Sequence, residues 1–275
     1  MSTSPPGIRT LFLFIFIWYN ERKNEVKTMA VMDVTLYSDA LGFNTHVRII
    51  FPQDIKKNEK LRVLYLLHGY MGDYTDWSRF TSIERYNWPY RFVIVMPSIH
   101  NSYYTDAKFG LNFFTFVAKE LPSFIQSYLP VSMKREDTFV AGLSMGGYGA
   151  LKIALTYPDR YAKAASLSGA LDIDDIQSYS KGTPREPWFL AIFGENSARN
   201  TGNDLNYLVK DALDKKKILP DLFIGCGTED FLYQINLDFK AFLDQHHVSY
   251  TYHESKGDHS WAFWDEYIQK VLAWI

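Results

Sequence analysis

The sequence predicts an α/β domain, a mainly parallel sheet flanked by helices on both faces. Three observations carry this expectation. Near-continuous apolar runs of strand length recur at residues 61–67, 91–96, 161–167 and 222–226, as strands buried on both faces require. Helical patterns at 110–128, 231–245 and 261–275 alternate with these runs, the arrangement that crossover helices between parallel strands produce. The chain has 275 residues, 47% of them hydrophobic and 17% aromatic, which suffices for one sizeable core.

Taken in order, 31–36 and 43–51 read as two early strands, an antiparallel pair joined by the turn Asp39-Ala40-Leu41-Gly42. The buried run 61–67 ends in His68-Gly69-Tyr70-Met71-Gly72-Asp73, and the run 91–96 ends at Pro97-Ser98. Pro122 interrupts the helical pattern of 110–128, so a kink or break is expected there. A strand leading into Gly142 and a helix through 150–154 follow, then the strand 161–167. Residues 171–205 show no clean period and hold Gly182, Pro184, Pro187, Gly194 and Gly202; they read as an irregular insertion over the C-terminal edge of the sheet. The strand 222–226, the helix 231–245, the strand 248–253 and the helix 261–275 complete the chain. No internal repeat, low-complexity tract or linker divides residues 29–275, which are expected to form one domain.

Composition narrows the function classes. A net charge of −2 offers no electrostatic reason to bind nucleic acid. The single cysteine, Cys226, excludes an intrachain disulfide framework and fits a reducing, cytoplasmic location. No zinc-type Cys/His spacing occurs, and His246-His247 reads as a surface pair in a polar turn. The apolar stretch 11–19 is too short to span a bilayer. It has only Arg9 before it and no small-residue cleavage site after it. Residues 1–28 are therefore expected to be an N-terminal extension, disordered or not native, with Met29 or Met32 as a natural start; an interfacial anchor is the alternative. No stable membrane insertion is expected, and a homo-oligomer stays open.

The chemistry centres on Ala141-Gly142-Leu143-Ser144-Met145-Gly146-Gly147. An apolar strand, a G-x-S-x-G turn and a helix make a nucleophile elbow, with Ser144 lifted clear of the sheet. Gly142 and Gly146 suit a backbone too crowded for a β-carbon, and the helix beginning near Met145 aims free N–H groups at charge developing beside Ser144. The alternative is a Gly-rich connection whose serine merely caps the helix. A serine nucleophile needs a base, and the base an orienting acid, in the chain order Ser, acid, His for this fold. Of the four histidines after Ser144, His259 lies in a Gly-bearing loop between the last strand and the last helix, where it could reach the elbow. Asp230 and Glu229 follow the strand 222–226 directly. Asp230 is the favoured acid, Glu229 the runner-up, and an N-cap on the next helix the competing role for Asp230. Met145 N–H supplies one oxyanion donor. The second is expected from the turn after 61–67, with Tyr70 N–H favoured, Gly69 giving the tight backbone and His68 structural. Tyr70, Tyr103, Tyr104, Trp188 and Trp261 could line an acyl or aryl pocket or simply pack; Trp261 is expected under the His259 loop.

These stretches, together with Leu66-Leu67-His68-Gly69, Tyr103-Tyr104-Thr105-Asp106, Cys226-Gly227-Thr228-Glu229-Asp230-Phe231-Leu232-Tyr233 and His259 followed by Trp261, resemble the esterase D-like branch of the α/β-hydrolases, most closely the small bacterial tributyrin esterases. The resemblance covers roughly residues 30–275 in the family's order. It implies Ser144 as nucleophile, Asp230 as acid, His259 as base, and Tyr70 and Met145 amides as the oxyanion hole. It further implies hydrolysis of short-acyl carboxylic esters without cofactor or metal, with a small-molecule ester as partner. S-formylglutathione hydrolases, carbohydrate acetyl and feruloyl esterases and mycolyl transferases share the same motif, and residues 171–205 differ from some relatives. A non-catalytic binding protein on this fold would typically lack a triad member, and none is lacking here.

Overall fold

The computed structural model describes residues 28–275; the extension expected over residues 1–28 lies outside them but for Thr28. Eight strands form one sheet in the order β1-β2-β4-β3-β5-β6-β7-β8. β1 (Met29–Ser38) pairs antiparallel with β2 (Phe43–Pro52), and β2 pairs antiparallel with β4 (Val93–Pro97). From β4 the sheet is parallel through β3 (Val63–Leu67), β5 (Thr138–Leu143), β6 (Lys163–Leu167), β7 (Asp221–Gly227) and β8 (Tyr250–Ser255). The expected α/β-hydrolase architecture is what the chain adopts, antiparallel first pair included.

Two apolar layers explain why the central strands read as unbroken runs. Val63, Tyr65 and Leu67 face one layer, and Leu64 and Leu66 the other, with all five buried. The first layer packs against the helical segment 113–128, α5 (Met145–Thr156), α8 (Leu205–Asp214) and α9 (Tyr233–Gln245). The second packs against α1 (Asp76–Phe80), α2 (Ile83–Tyr86) and α10 (Trp261–Trp274). Each fully buried aliphatic or aromatic side chain contributes about 1.5–3 kcal/mol, so the sheet is fixed from both sides.

Two expectations are refined. The α-helix around Pro122 is interrupted, as expected, but by a change of winding and not by a chain break. α3 (Phe113–Thr115) runs through a π-helical turn, Phe116–Glu120, into α4 (Leu121–Tyr128), with Pro122 in the first turn of α4. The wider turn makes room where proline lacks an N–H and would crowd the preceding carbonyl. Residues 171–205 are not irregular. They contain α6 (Ile173–Ser180) and α7 (Glu186–Phe193). Asp172 caps α6 by accepting from the Asp174 and Asp175 N–H groups, and Pro187 sits in the first turn of α7, where its missing N–H costs nothing. The segment does lie over the C-terminal edge of the sheet, as expected.

Candidate active site

The C-terminal ends of β3, β5, β7 and β8 converge on one edge, where ligands of such sheets bind. Ser144 stands at the tip of the turn between β5 and α5 with φ 53° and ψ −120°, a region non-glycine residues avoid and which costs about 1–3 kcal/mol to hold. The turn is pinned. Ser144 N–H donates to the Leu167 carbonyl at 2.8 Å, and the Ser144 carbonyl accepts from Tyr148 and Ala170 N–H at 3.1 Å each. The helix start passes so close to β3 that a β-carbon on Gly146 would lie 2.5 Å from Leu67 O, and one on Gly142 would lie 2.3 Å from Gly146 O. The two glycines are therefore steric necessities of the elbow.

His259 bridges the two remaining groups. Its Nε2 lies 3.0 Å from Ser144 Oγ, and its Nδ1 lies 3.0 and 2.9 Å from the two oxygens of Asp230. The carboxylate is an acceptor, so Nδ1–H donates and Nε2 is left to accept the Ser144 hydroxyl proton. The Asp230 side chain is fully buried, and Oδ1 also accepts the Leu232 N–H at 2.8 Å. The expected N-cap role does not hold, because the next helix begins at Tyr233 with Leu232 at its N-cap and no side-chain cap; the Asp230 bond closes the turn ahead of it. Glu229 is out of reach, exposed and facing Lys256 at 3.7 Å. The acid and base loops are laced together, with Thr228 N–H donating to Ser255 O and Glu229 N–H to Gly257 O, both at 2.9 Å. The imidazole is clasped by Phe231 at 4.5 Å and by the edge of Trp264 at 4.9 Å. Trp264 is held by its Nε1–H bond to Ser168 Oγ at 3.1 Å.

The turn after β3 lies against the serine. A β-carbon on Gly69 would sit 3.5 Å from Ser144 Cβ, and neither Tyr70 N–H nor Met145 N–H has a hydrogen-bond partner among the described residues. His68 props this turn from beneath. Its Nδ1–H donates to Gly69 O at 2.7 Å, and its Nε2 accepts Ile99 N–H at 3.2 Å. Burial pulls the imidazole down to about 4, so it stays neutral and structural.

A cleft of about 420 Å³ opens above Ser144, within the size range of small-ligand sites. Of the sequence-predicted lining, Gly69, Tyr70, Tyr103 and Trp261 border it. Tyr103 packs on Phe189 at 5.0 Å, while Trp261 stacks on Phe80 at 4.9 Å. Tyr104 is a correction. It is fully buried beside Gly149, its hydroxyl donates to His68 O at 2.9 Å, and it faces no cleft. Trp188 is exposed and also stands away from the cleft. Trp264, not Trp261, packs on the His259 ring. Sequence reasoning missed Phe231 and Trp264, although Phe231 directly follows the acid and Trp264 lies one helical turn beyond Ser260. It also missed the contributions of α6 and α7, namely Ile176, Tyr179, Arg185 and Phe189. Asp76 enters from α1, its carboxyl pushed above the usual range by burial and by the neighbouring Asp73.

This fold, with a serine at its elbow, defines the α/β-hydrolase class of serine hydrolases. The family model named Esterase, described as "Putative esterase", matches residues 38–275, and the chain belongs to that family. An acetyl esterase of Caldicellulosiruptor saccharolyticus is 36% identical over 261 residues, covering 90% of this chain and 98% of that protein. Two solved structures from Staphylococcus aureus are each 34% identical with a TM-score of 0.82, covering 90% of this chain and 98% of theirs. They are FphF, a fluorophosphonate-binding serine hydrolase, and FrmB, an S-formylglutathione hydrolase. A ferulic acid esterase at 23% identity and a TM-score of 0.78 shares the fold. Among the described residues no helix is long and apolar enough to cross a membrane.

Proposed function

We propose that the protein hydrolyses short-chain acyl esters, of acetyl or butyryl type, through an acyl-enzyme. One observation carries the site assignment: the unbroken chain of contacts from Ser144 Oγ through His259 to the buried Asp230. His259 Nε2 takes the hydroxyl proton as Ser144 Oγ attacks the ester carbonyl, forming the C–O bond. The oxyanion is received by the unpartnered N–H groups of Tyr70 and Met145. As the intermediate collapses, His259 returns the proton to the departing alcohol. Water then enters by the same route, freeing the acid and Ser144. Asp230 stays ionised and holds the imidazole in the tautomer that leaves Nε2 basic. The acetyl preference is supported by likeness to the Caldicellulosiruptor acetyl esterase.

Ser144→Ala is expected to lower kcat/KM on p-nitrophenyl acetate by roughly 10⁴-fold or more with the fold retained; hydrolysis persisting in that variant overturns the nucleophile. A thioesterase acting on S-formylglutathione is the second reading, favoured by the likeness to FrmB. A panel of p-nitrophenyl esters of rising chain length, S-formylglutathione and acetylated or feruloylated sugars separates the readings by their kcat/KM. A cytoplasmic location is proposed on the single buried Cys226, to be checked by fractionation, and a homo-oligomer is to be checked by size-exclusion chromatography.

A further inference from the structure

The cleft contains a cation that the hydrolytic machinery does not use. Arg185 borders it at the N-terminus of α7. Its backbone is fixed, because Arg185 N–H donates to Thr183 Oγ1 at 3.2 Å and that hydroxyl donates to Ser180 O at 2.7 Å. Its guanidinium carbon lies 4.9 Å from the centre of the Tyr70 ring. Beyond that ring contact, the side chain has neither ion pair nor hydrogen bond among the described residues. Glu186, the carboxylate next to it, accepts from Gly182 N–H at 2.8 Å. Lys152, a buried basic side chain nearby, is fully engaged by Thr105 Oγ1 and Asn203 Oδ1 at 2.7 Å and Tyr104 O at 3.1 Å. A guanidinium held by an aromatic ring keeps its N–H fork free, and that fork matches a carboxylate in two-point geometry.

We propose that Arg185 is a specificity-determining residue which selects esters carrying a second, anionic group, a carboxylate or similar oxyanion, a few bonds from the scissile carbonyl. The inference rests on the ester-hydrolase reading. Its spacing comes from Tyr70, whose backbone N–H is the proposed oxyanion donor and whose ring lies under Arg185, so both contacts belong to one residue. Asp76 sits on the α1 side of the cleft and repels an anion there, which confines the charged group to the Arg185 side. The ring contact holds the solvent-exposed cation at the rim of the cleft.

The anion can belong to the acyl group or to the leaving alcohol, and the test has an arm for each. The acyl arm compares mono(4-nitrophenyl) glutarate with its neutral methyl ester. The alcohol arm compares 4-acetoxybenzoate with methyl 4-acetoxybenzoate. In Arg185→Gln the anionic-to-neutral ratio of kcat/KM falls about fivefold in one arm, the size of a partly exposed ion pair, and the change lies in KM. Arg185→Lys retains most of the ratio. A fall in the acyl arm assigns the anion to the acid, and a fall in the alcohol arm assigns it to the leaving group. As a check independent of any variant, the wild-type ratio falls in 0.5 M NaCl, roughly the range where screening shortens to a few ångströms. A ratio unchanged by Arg185→Gln in both arms, or by salt where the variant does not fold, overturns the proposal. Failure of the ester-hydrolase reading looks different, since the wild type then turns over neither neutral ester.

Discussion

At the scale of single residues the site depends on groups that never touch substrate. His68 is the clearest case. It is buried, and burial lowers its imidazole from 6.5 to about 4, so the folded protein resists a proton that the unfolded chain accepts. The sign follows directly: the folded value is depressed, so stability is complete above about pH 6.5 and declines as pH falls towards 4. The fall amounts to at most ~3 kcal/mol at one pKa unit per 1.36 kcal/mol. Urea midpoints measured at pH 7 and pH 4.5 are expected to differ by more in the wild type than in His68→Gln; an equal difference in both removes His68 as the cause. The three residues of the proposed triad, which the structure brings into contact, were legible because chain order and loop position single them out. Phe231 and Trp264 were not, because an aromatic beside a catalytic loop carries no signal that separates clasping an imidazole from filling the core.

At the scale of elements, β5, the Ser144 turn and α5 behave as one unit whose tolerance is set by the gap to β3. Gly146→Ala places a methyl group 2.5 Å from Leu67 O and 2.6 Å from His68 O. Backbone on both sides cannot yield as a side chain would, so the substitution is expected to cost about 1–3 kcal/mol and to displace the neighbouring Met145 N–H. Urea unfolding together with the rate on p-nitrophenyl acetate checks this, and wild-type values in both contradict it. The buried strands were readable from the sequence because two apolar layers leave no polar side to interrupt them. The short helices were not. α6 and α7 span eight residues each, too few for a period to emerge among glycines and prolines. α8 is different. Leu205, Leu208, Val209 and Ala212 form its buried face and Asp204 accepts from Asn206 N–H, so period and cap were both written in the sequence beside a turn-rich stretch that masked them.

At the scale of the whole molecule, the sheet supplies the reaction centre and the α6–α7 segment supplies the wall above it. Phe189 is the pivot of that wall, 2% exposed and packed on Tyr103. Phe189→Ala is expected to cost about 3 kcal/mol and to raise kcat/KM for octanoyl relative to acetyl p-nitrophenyl esters by about tenfold, since one or more added methylenes then find room. An unaltered chain-length profile would separate acyl selection from this wall. The family and the chemistry were legible in the sequence, but the shape of the cleft was not, because it is built from segments whose relative placement no local pattern encodes.

The edge position of β8 has a further consequence. Ser144 follows β5, deep in the sheet, while His259 follows β8, an edge strand paired on one side only among the described residues. The proposed machinery therefore spans an interior strand and an edge strand of the same sheet, and edges open more readily. Under the proposed mechanism, loosening of β8 disconnects His259 from a Ser144 that is still correctly mounted. Heat or urea is then expected to extinguish turnover ahead of the loss of far-ultraviolet circular dichroism, with the early loss reversible on cooling or dilution. Superimposed activity and dichroism curves would instead mean that β8 melts only with the whole sheet.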